Sequence, residues 1–560
     1  MSSLTDITVA EGYTLSTSPI SKLAPELLAE VFHWCILNVA AARLMNTAPP
    51  LAPYSWLTIR HVCHTWRDVA LAFPELSTHI WLTRPECVID MLGRSGTLPL
   101  HIHSVERFYM NPTEEAEMLH MVLSQFERVA DASFVLAEEI LRSYKPDPQL
   151  KKHTVRASQL RSLKLYIWRA NPSWRPPWLL FAGFDFPALR ELTCVHTNIA
   201  MLHTLVAPRL CHLRLFHSEL QLEQELLPLL NQLGVLEELE LDEAMRSFAG
   251  PQQALGAILS APNSPTSVTL PRLKRLSIKH VSADAVFYLL HRLSFPLSAS
   301  VVLQASWRPR RPSSYDSYVA VILAKIEGLC FHTLSLSTTA ESGVTFRLWG
   351  DRLAVDHGHL SQLYSGEAAH FSCSLRIPPR LLITYLIEEL PLGQIECTLL
   401  SEQAVGLNDA VAWETVLSLM PSVEDLVMQY ETFDYLANDA QPYRIRPANT
   451  YSLCPSLETL RIRELHHWSS LMLDFSSDVV HLGCVARGLA ERKDGVGKMD
   501  ITREVEDFHE EYPCPHEGGR GCRQPPGYES SLSAPVQRRN HFKARILDGA
   551  FRVPNLFKRR

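Results

Sequence analysis

Glycine is sparse, 23 in 560 residues, and nowhere does it gather into the loop whose backbone N–H groups cradle a phosphate. The chain has no pair of histidines one helical turn apart around a glutamate, and no Gly-x-Ser-x-Gly elbow for a nucleophilic serine. Phosphate-loop, zinc-hydrolase and serine-hydrolase chemistry therefore lack their usual carriers. The expectation is a non-catalytic chain without a cofactor. Nor does any window reach about eighteen largely uncharged apolar residues, the length a membrane span requires. Met1-Ser-Ser-Leu-Thr-Asp-Ile7 has no basic stretch leading into an apolar run, so no secretory signal is expected. Charge of one sign is also missing. A net charge of -7 and a pI near 6.4 give no reason to expect nucleic acid as a partner. The 12 cysteines come singly. Several fall in apolar phrases, where they read as small buried thiols of a reducing compartment, which points to the cytosol or nucleus.

What is present is amphipathic helix, then repeated leucine. Leu23-Ala-Pro-Glu-Leu-Leu-Ala-Glu-Val-Phe32 places Leu27, Leu28, Val31, Phe32 and Cys35 at helical spacing, behind a proline suited to a first turn. In the next helical piece Ile59, Val62, Cys63, Trp66, Val69 and Ala70 share a face, with His61, His64, Arg67 and Asp68 off it or at its edge. This puts Cys63 inward beside Trp66, as core rather than as a nucleophile. Two short amphipathic helices cannot bury their stripes alone, so a small helical module is predicted. Between them, Pro49, Pro50 and Pro53 mark residues 39–55 as an excursion rather than a continued helix.

These residues carry a resemblance. Leu23-x-Pro25-Glu26-Leu27-Leu28 with Val31-Phe32, followed by Val62-Cys63-x-x-Trp66-Arg67 and Pro74-x-Leu76, resembles an F-box. Trp81-Leu82 and then Leu92-x-Arg94-Ser95-Gly96-x-x-Pro99-Leu100 make it most similar to the F-box proteins of mushroom-forming (basidiomycete) fungi. The resemblance implies a three-helix box contacting a Skp-family adaptor through Leu23, Pro25, Glu26, Leu27, Leu28, Val31 and Phe32. Val62, Cys63 and Trp66 would be shared core and contact edge. It further implies a substrate-recognition subunit of a Skp–cullin–F-box ubiquitin ligase, which binds a protein substrate and leaves ubiquitin transfer to other subunits. The alternative is a repeat scaffold or protein-binding module with no ligase role, its box serving only as a cap.

After the box, short strands are expected at 77–81 and 99–103 around a helical piece at 88–92, then one helical stretch from Glu114 to Ser143 and a polar break at 145–152. From residue 158 a Leu-x-x-Leu-x-Leu phrase recurs, whose final alternation makes a short strand. Its core positions are Leu163 and Leu165, Leu192, Leu213 and Leu215, Leu239 and Leu241, Leu276 and Ile278, Leu426, and Leu460 and Ile462, with a thinner copy at Leu334. The early spacings lie in or near the leucine-rich-repeat range and the later ones do not. The predicted fold is therefore α/β, a small N-terminal F-box followed by an irregular leucine-rich-repeat-like solenoid. Its divisions are a leader at 1–19, the box at 20–80, a linker and helical adaptor region at 81–157, the repeat-like domain at 158–490 and a charged, Gly/Pro-rich tail at 491–560.

Smaller features read plainly. Trp307-Arg-Pro-Arg-Arg-Pro-Ser-Ser314 is taken as an exposed loop, and Arg272 with Arg275, and Arg461 with Arg463, as solvated arginines. Leu482, Val485, Ala486 and Leu489 suggest a last helix; residues 510–536 read as disordered, and 542–547 as a short helix. His509, Cys514, His516 and Cys522 are by residue type capable of holding zinc, but their spacing matches no standard finger and no metal is expected there.

Overall fold

The computed structural model describes residues 19–45, 53–104, 111–144, 154–168, 178–181, 183–245, 267–306, 315–339, 343–351, 369–375, 389–402, 419–429, 456, 459–465 and 500–506. The chain divides into two compact units. Among the described residues the first holds 19–135 and 139–144, and the second 136–138 and 154–506.

The first unit opens with helix α1, Pro25–Met45. Proline at its first position sacrifices no hydrogen bond, and Glu26 complements the positive helix end. Its buried residues are Leu28, Ala29, Phe32, Ile36 and Val39. The expected stripe is corrected here: Leu27, Val31 and Cys35 lie on the exposed flank. The helix also runs on through 39–45, where the excursion was expected, and 46–52 fall outside the described residues.

A 3-10 turn, Ser55–His61, and helix α2, His64–Ala72, complete the module. With the 3-10 turns Pro19–Lys22 and Pro74–Ser77 at its two ends, its described residues hold two α-helices joined through a 3-10 turn rather than three helices. The reason is Cys63, whose extended backbone (φ -157°, ψ 173°) caps α2 and breaks the run. Cys63 is consequently exposed, not inward, and so is Val62. Trp66 is half-buried, its ring 5.1 Å from that of Phe32.

Strands β1 (His79–Leu82), β2 (Leu100–Ser104) and β3 (Val129–Ala137) follow, all parallel. Helices α3 (Pro85–Arg94) and α4 (Pro112–Leu123) make the crossovers. The single helix expected over 114–143 is thus replaced by α4, β3 and a short α5, Glu138–Ser143. Helical periodicity ends at Leu123, and beyond it Ala132 and Phe134 alternate with the half-exposed Asp131 and Ser133. Residues 81–157, expected as a linker and helical adaptor region, therefore already carry parallel sheet. Arg128 locks the α3 exit, donating to the carbonyls of Gly96, Leu98 and Leu92 and to Ser95 Oγ.

The second unit is an open, mostly parallel sheet. Strands β5 (Ser162–Trp168), β7 (Glu191–Val195), β8 (His212–Phe216), β9 (Glu238–Asp242), β11 (Arg275–Ser282) and β13 (Ser300–Ser306) pair in that order. Two-residue parallel pairs lie apart from it, β4 (Val155–Arg156) with β6 (Phe184–Asp185) and β10 (Val268–Thr269) with β12 (Leu293–Ser294). The leucine phrases stack in register. Leu163, Leu192, Leu213, Leu239, Leu276 and Val301 form one column, and Leu165, Cys194, Leu215, Leu241, Ile278 and Leu303 the next. All twelve are buried, each fully enclosed leucine being worth roughly 1.5–3 kcal/mol. Crossovers include α6 (Ile199–Leu205), α7 (Leu227–Leu230) and α8 (Ala283–Arg292), the last packed on β11 and β13.

After β13 comes helix α9, Tyr315–Ile326, and the order then reverses. Strands β14 (Thr333–Thr339), β15 (Gly343–Trp349) and β16 (Phe371–Leu375) form an antiparallel meander. The last of the three, β16, takes the place beside β13, and β14 pairs onward with β17 (Cys397–Glu402). Strands β18 (Asp425–Gln429), β19 (Thr459–Leu465) and β20 (Asp500–Glu506) continue in parallel, with Leu426 opposite Leu460 and Met428 opposite Ile462. The tail expected from residue 491 thus contains a strand. The unit is α/β with a mixed sheet.

Eight described cysteines are free thiols. Cys194, Cys373 and Cys397 are buried as expected, whereas Cys35, Cys63 and Cys330 are exposed.

Candidate binding surfaces

The helical module leaves apolar surface uncovered. Leu27 is 58% exposed, Trp34 57% and Val62 59%, with Ile20, Leu23, Val31 and Leu71 also exposed. Of these, Leu27, Val31 and Trp34 recur at four- and three-residue steps along α1, which places them on one side of the helix. Of the residues predicted for partner contact, Leu23, Pro25, Glu26, Leu27 and Val31 are on the surface, while Leu28 and Phe32 are core. Trp34 and Ile20 were not anticipated. Trp34 stands three residues beyond Val31 on the same helix, and extending the stripe by one step would have found it.

Against the sheet of the same unit stands a layer of aromatic nitrogen rings. His79 and Trp81 of β1 face the same side as His101 and His103 of β2, since His79 is paired with His101 and Trp81 with His103. The His79 ring stacks on His101 at 4.5 Å and lies parallel to His103 at 5.7 Å, its Nδ1 3.4 Å from His103 Nε2. His33 of α1 approaches His79 to 6.0 Å, and Asp131 Oδ2 is 2.8 Å from His101 Nδ1. Burial, with the neighbouring imidazoles His101, His103 and His33, pushes the His79 pKa down to about 3. At the outer side of β1, Tyr54 closes the strand edge. Its hydroxyl donates to Trp81 O at 2.9 Å and accepts from Trp81 N at 3.1 Å, and burial raises its pKa well above the ordinary value.

In the second unit the face opposite the leucine columns is polar and paired. Arg214 bridges Glu238 and Glu240 at 3.3 and 3.7 Å, Lys279 reaches Glu240 at 3.3 Å, and His280 Nδ1 meets Asp242 at 2.7 Å. The more exposed of these, Arg214 with Glu238, adds little stability, and all of them favour one strand register. Beside them run Tyr166, Val195 and Phe216, in register and half-buried, with Trp168 exposed two residues after Tyr166. Arg272 and Arg275 are exposed, as expected; the side chains of Arg461 and Arg463 lie outside the described residues.

A second repeat, missed in the leucine spacing, follows the ends of β7, β8 and β9 and recurs inside β11 at its register shift. His196, His217, Glu243 and His280 all adopt positive φ, between 47° and 56°. His196 stacks on His217 at 4.9 Å, and His217 Nδ1 is 2.8 Å from Glu243. Its sequence signal is the histidine directly after Val195, Phe216 and Lys279.

Among the described residues no group of three or more His, Cys, Asp or Glu is placed to hold a metal, and no helix is long and apolar enough to cross a membrane. His509, Cys514, His516 and Cys522 lie outside the described residues, as do residues 1–18 of the leader expected at 1–19, the polar break at 145–152, the basic segment at 307–314, and the segments at 482–489, 510–536 and 542–547.

No protein-family model matches the chain, and neither does any curated protein. Among solved structures it is similar to the leucine-rich repeat-containing protein LegL7 from Legionella pneumophila, at 12% identity and a TM-score of 0.24, over 70% of this chain and 97% of that one. An overlay that loose does not fix an architecture.

Proposed function

We propose that the protein is a non-catalytic protein-binding scaffold whose N-terminal helical module docks a Skp-family adaptor and whose sheet unit presents a second surface to a protein substrate. The observation that carries the docking half is the apolar surface left on the module by Leu23, Leu27, Val31, Trp34 and Val62. Apolar side chains clustered on one helical module are what a protein interface buries at its centre. The resemblance of Leu23-x-Pro25-Glu26-Leu27-Leu28 to an F-box supplies the partner's identity and, with it, a cullin and a role in substrate selection for ubiquitin transfer in the cytosol or nucleus. A scaffold with no ligase role is the second reading, favoured by the antiparallel interruption at β15, which departs from a uniform repeat array.

The test is capture of the purified full chain by a purified Skp-family adaptor, beside a Leu27→Asp, Val31→Asp double variant. Both substitutions fall on exposed positions, so the variant keeps its circular dichroism spectrum. Binding by the wild type and at least a tenfold loss in the variant supports the adaptor reading. A folded wild type that does not bind leaves the plain scaffold. Cullin retained with the adaptor then separates a ligase subunit from an adaptor-bound scaffold.

A further inference from the structure

The histidine layer between α1 and strands β1 and β2 belongs to neither proposed docking surface. His79 is the enclosed centre of it, 6% exposed, with His101 stacked on its face and His103 at its edge. The groups facing His79 are His33 from α1 and His101 and His103 from β2, while Asp131 of β3 holds the far side of His101. Tyr54 closes the flank toward the 3-10 turn by hydrogen-bonding Trp81, and Cys87 and Asp90 of α3 act on its hydroxyl.

This arrangement has a definite capacity for protons. Two ring nitrogens 3.4 Å apart share one hydrogen between them, so His79 and His103 are satisfied as a neutral pair. His101 is held by Asp131 at 2.8 Å, at the outer, partly exposed end of the layer. A proton on His79 would put a cation in an enclosed place among the rings of His33, His101 and His103, with Asp131 already engaged by His101. His33 brings α1 against one side of His79, so lifting α1 opens that side of the ring to water.

We propose that the layer of His33, His79, His101 and His103 is an acid-released seat for α1, holding the helical module on the sheet while neutral and letting it go when protonated at its centre. The sign follows from linkage. A seated His79 refuses a proton that a released His79 accepts near its ordinary value, so seating is complete at neutral pH and is lost as pH falls below about 6.5. This does not depend on any partner.

The experiment is hydrogen exchange of the full chain, followed in peptides from α1 and from α3 of the same unit, with each rate corrected for the intrinsic effect of pH. From about pH 7.5 to about pH 5.5 the opening of α1 is expected to rise about tenfold while α3 stays constant. In His79→Phe, which keeps a stacking ring but cannot be protonated, α1 opening is expected to become independent of pH. If that variant does not fold, the wild type alone decides. Constant α1 protection, or α1 and α3 opening together, overturns the proposal, as does an unchanged pH response in a folded His79→Phe.

Discussion

Leu213 offers the sharpest measure of how the second unit holds together. It is fully enclosed, with Leu192 on one side of its column and Leu239 on the other, each fixed by its strand's hydrogen bonds. Leu213→Ala removes the branched end of the side chain and leaves a void between two strands that cannot close on it. Leucine-to-alanine changes at enclosed sites cost about 2.7–5 kcal/mol, the spread reflecting how far the surroundings collapse. Because ladder partners pin both neighbours here, a loss of about 3–4 kcal/mol is expected. Leu27→Ala is the internal standard. Its side chain lies mostly in water, so its loss should stay within about 0.5 kcal/mol. Urea unfolding of the full chain, followed by far-ultraviolet circular dichroism, gives both values. Equal losses, or less than about 1 kcal/mol for Leu213→Ala, would refute the column as the unit's core.

Two further perturbations test other parts of the description. Tyr54→Phe deletes the hydroxyl that serves both the N–H and C=O of Trp81, so β1 amides should exchange faster and the first unit should lose about 1–2 kcal/mol, readable by thermal melting. Burial pushes the Cys194 thiol up to about 12 and raises that of Cys373 as well, so in the native chain both should resist alkylation at neutral pH. Cys35, Cys63 and Cys330 should react promptly, and peptide mapping after timed labelling separates the two groups; early modification of Cys194 would contradict its place in the column.

The leucine phrases were legible because a two-residue alternation has one structural meaning once a neighbour repeats it. Leu163, Leu192, Leu213, Leu239 and Leu276 fall opposite one another as their spacing implies. Val301 completes the same column without the phrase, which shows that burial by a neighbour can stand in for leucine. Other parts were not legible. Met118 to Val129 keeps a helical rhythm across a real boundary, and only the alternation of Ala132 and Phe134 reveals the strand. On α1, apolar residues occupy more than one face, so periodicity alone could not divide the core residues Leu28 and Phe32 from the exposed Leu27 and Val31. Cys63 was misplaced because an extended cap leaves no trace in apolar spacing. The histidine layer joins α1 to β1 and β2, and contacts of that range have no signature in a local pattern.

The strand that lies beside β13 is β16, not β14. A chain emerging from the ribosome can complete β5 through β13 one neighbour at a time, each new strand covering the last. At Ser306 that progression stops, and everything up to Phe371 must be made before the open side of β13 finds its mate. At roughly 5–20 residues per second, that leaves a row of unpaired backbone groups waiting for several seconds. During synthesis, then, the half-built sheet presents an adhesive border that the finished protein conceals.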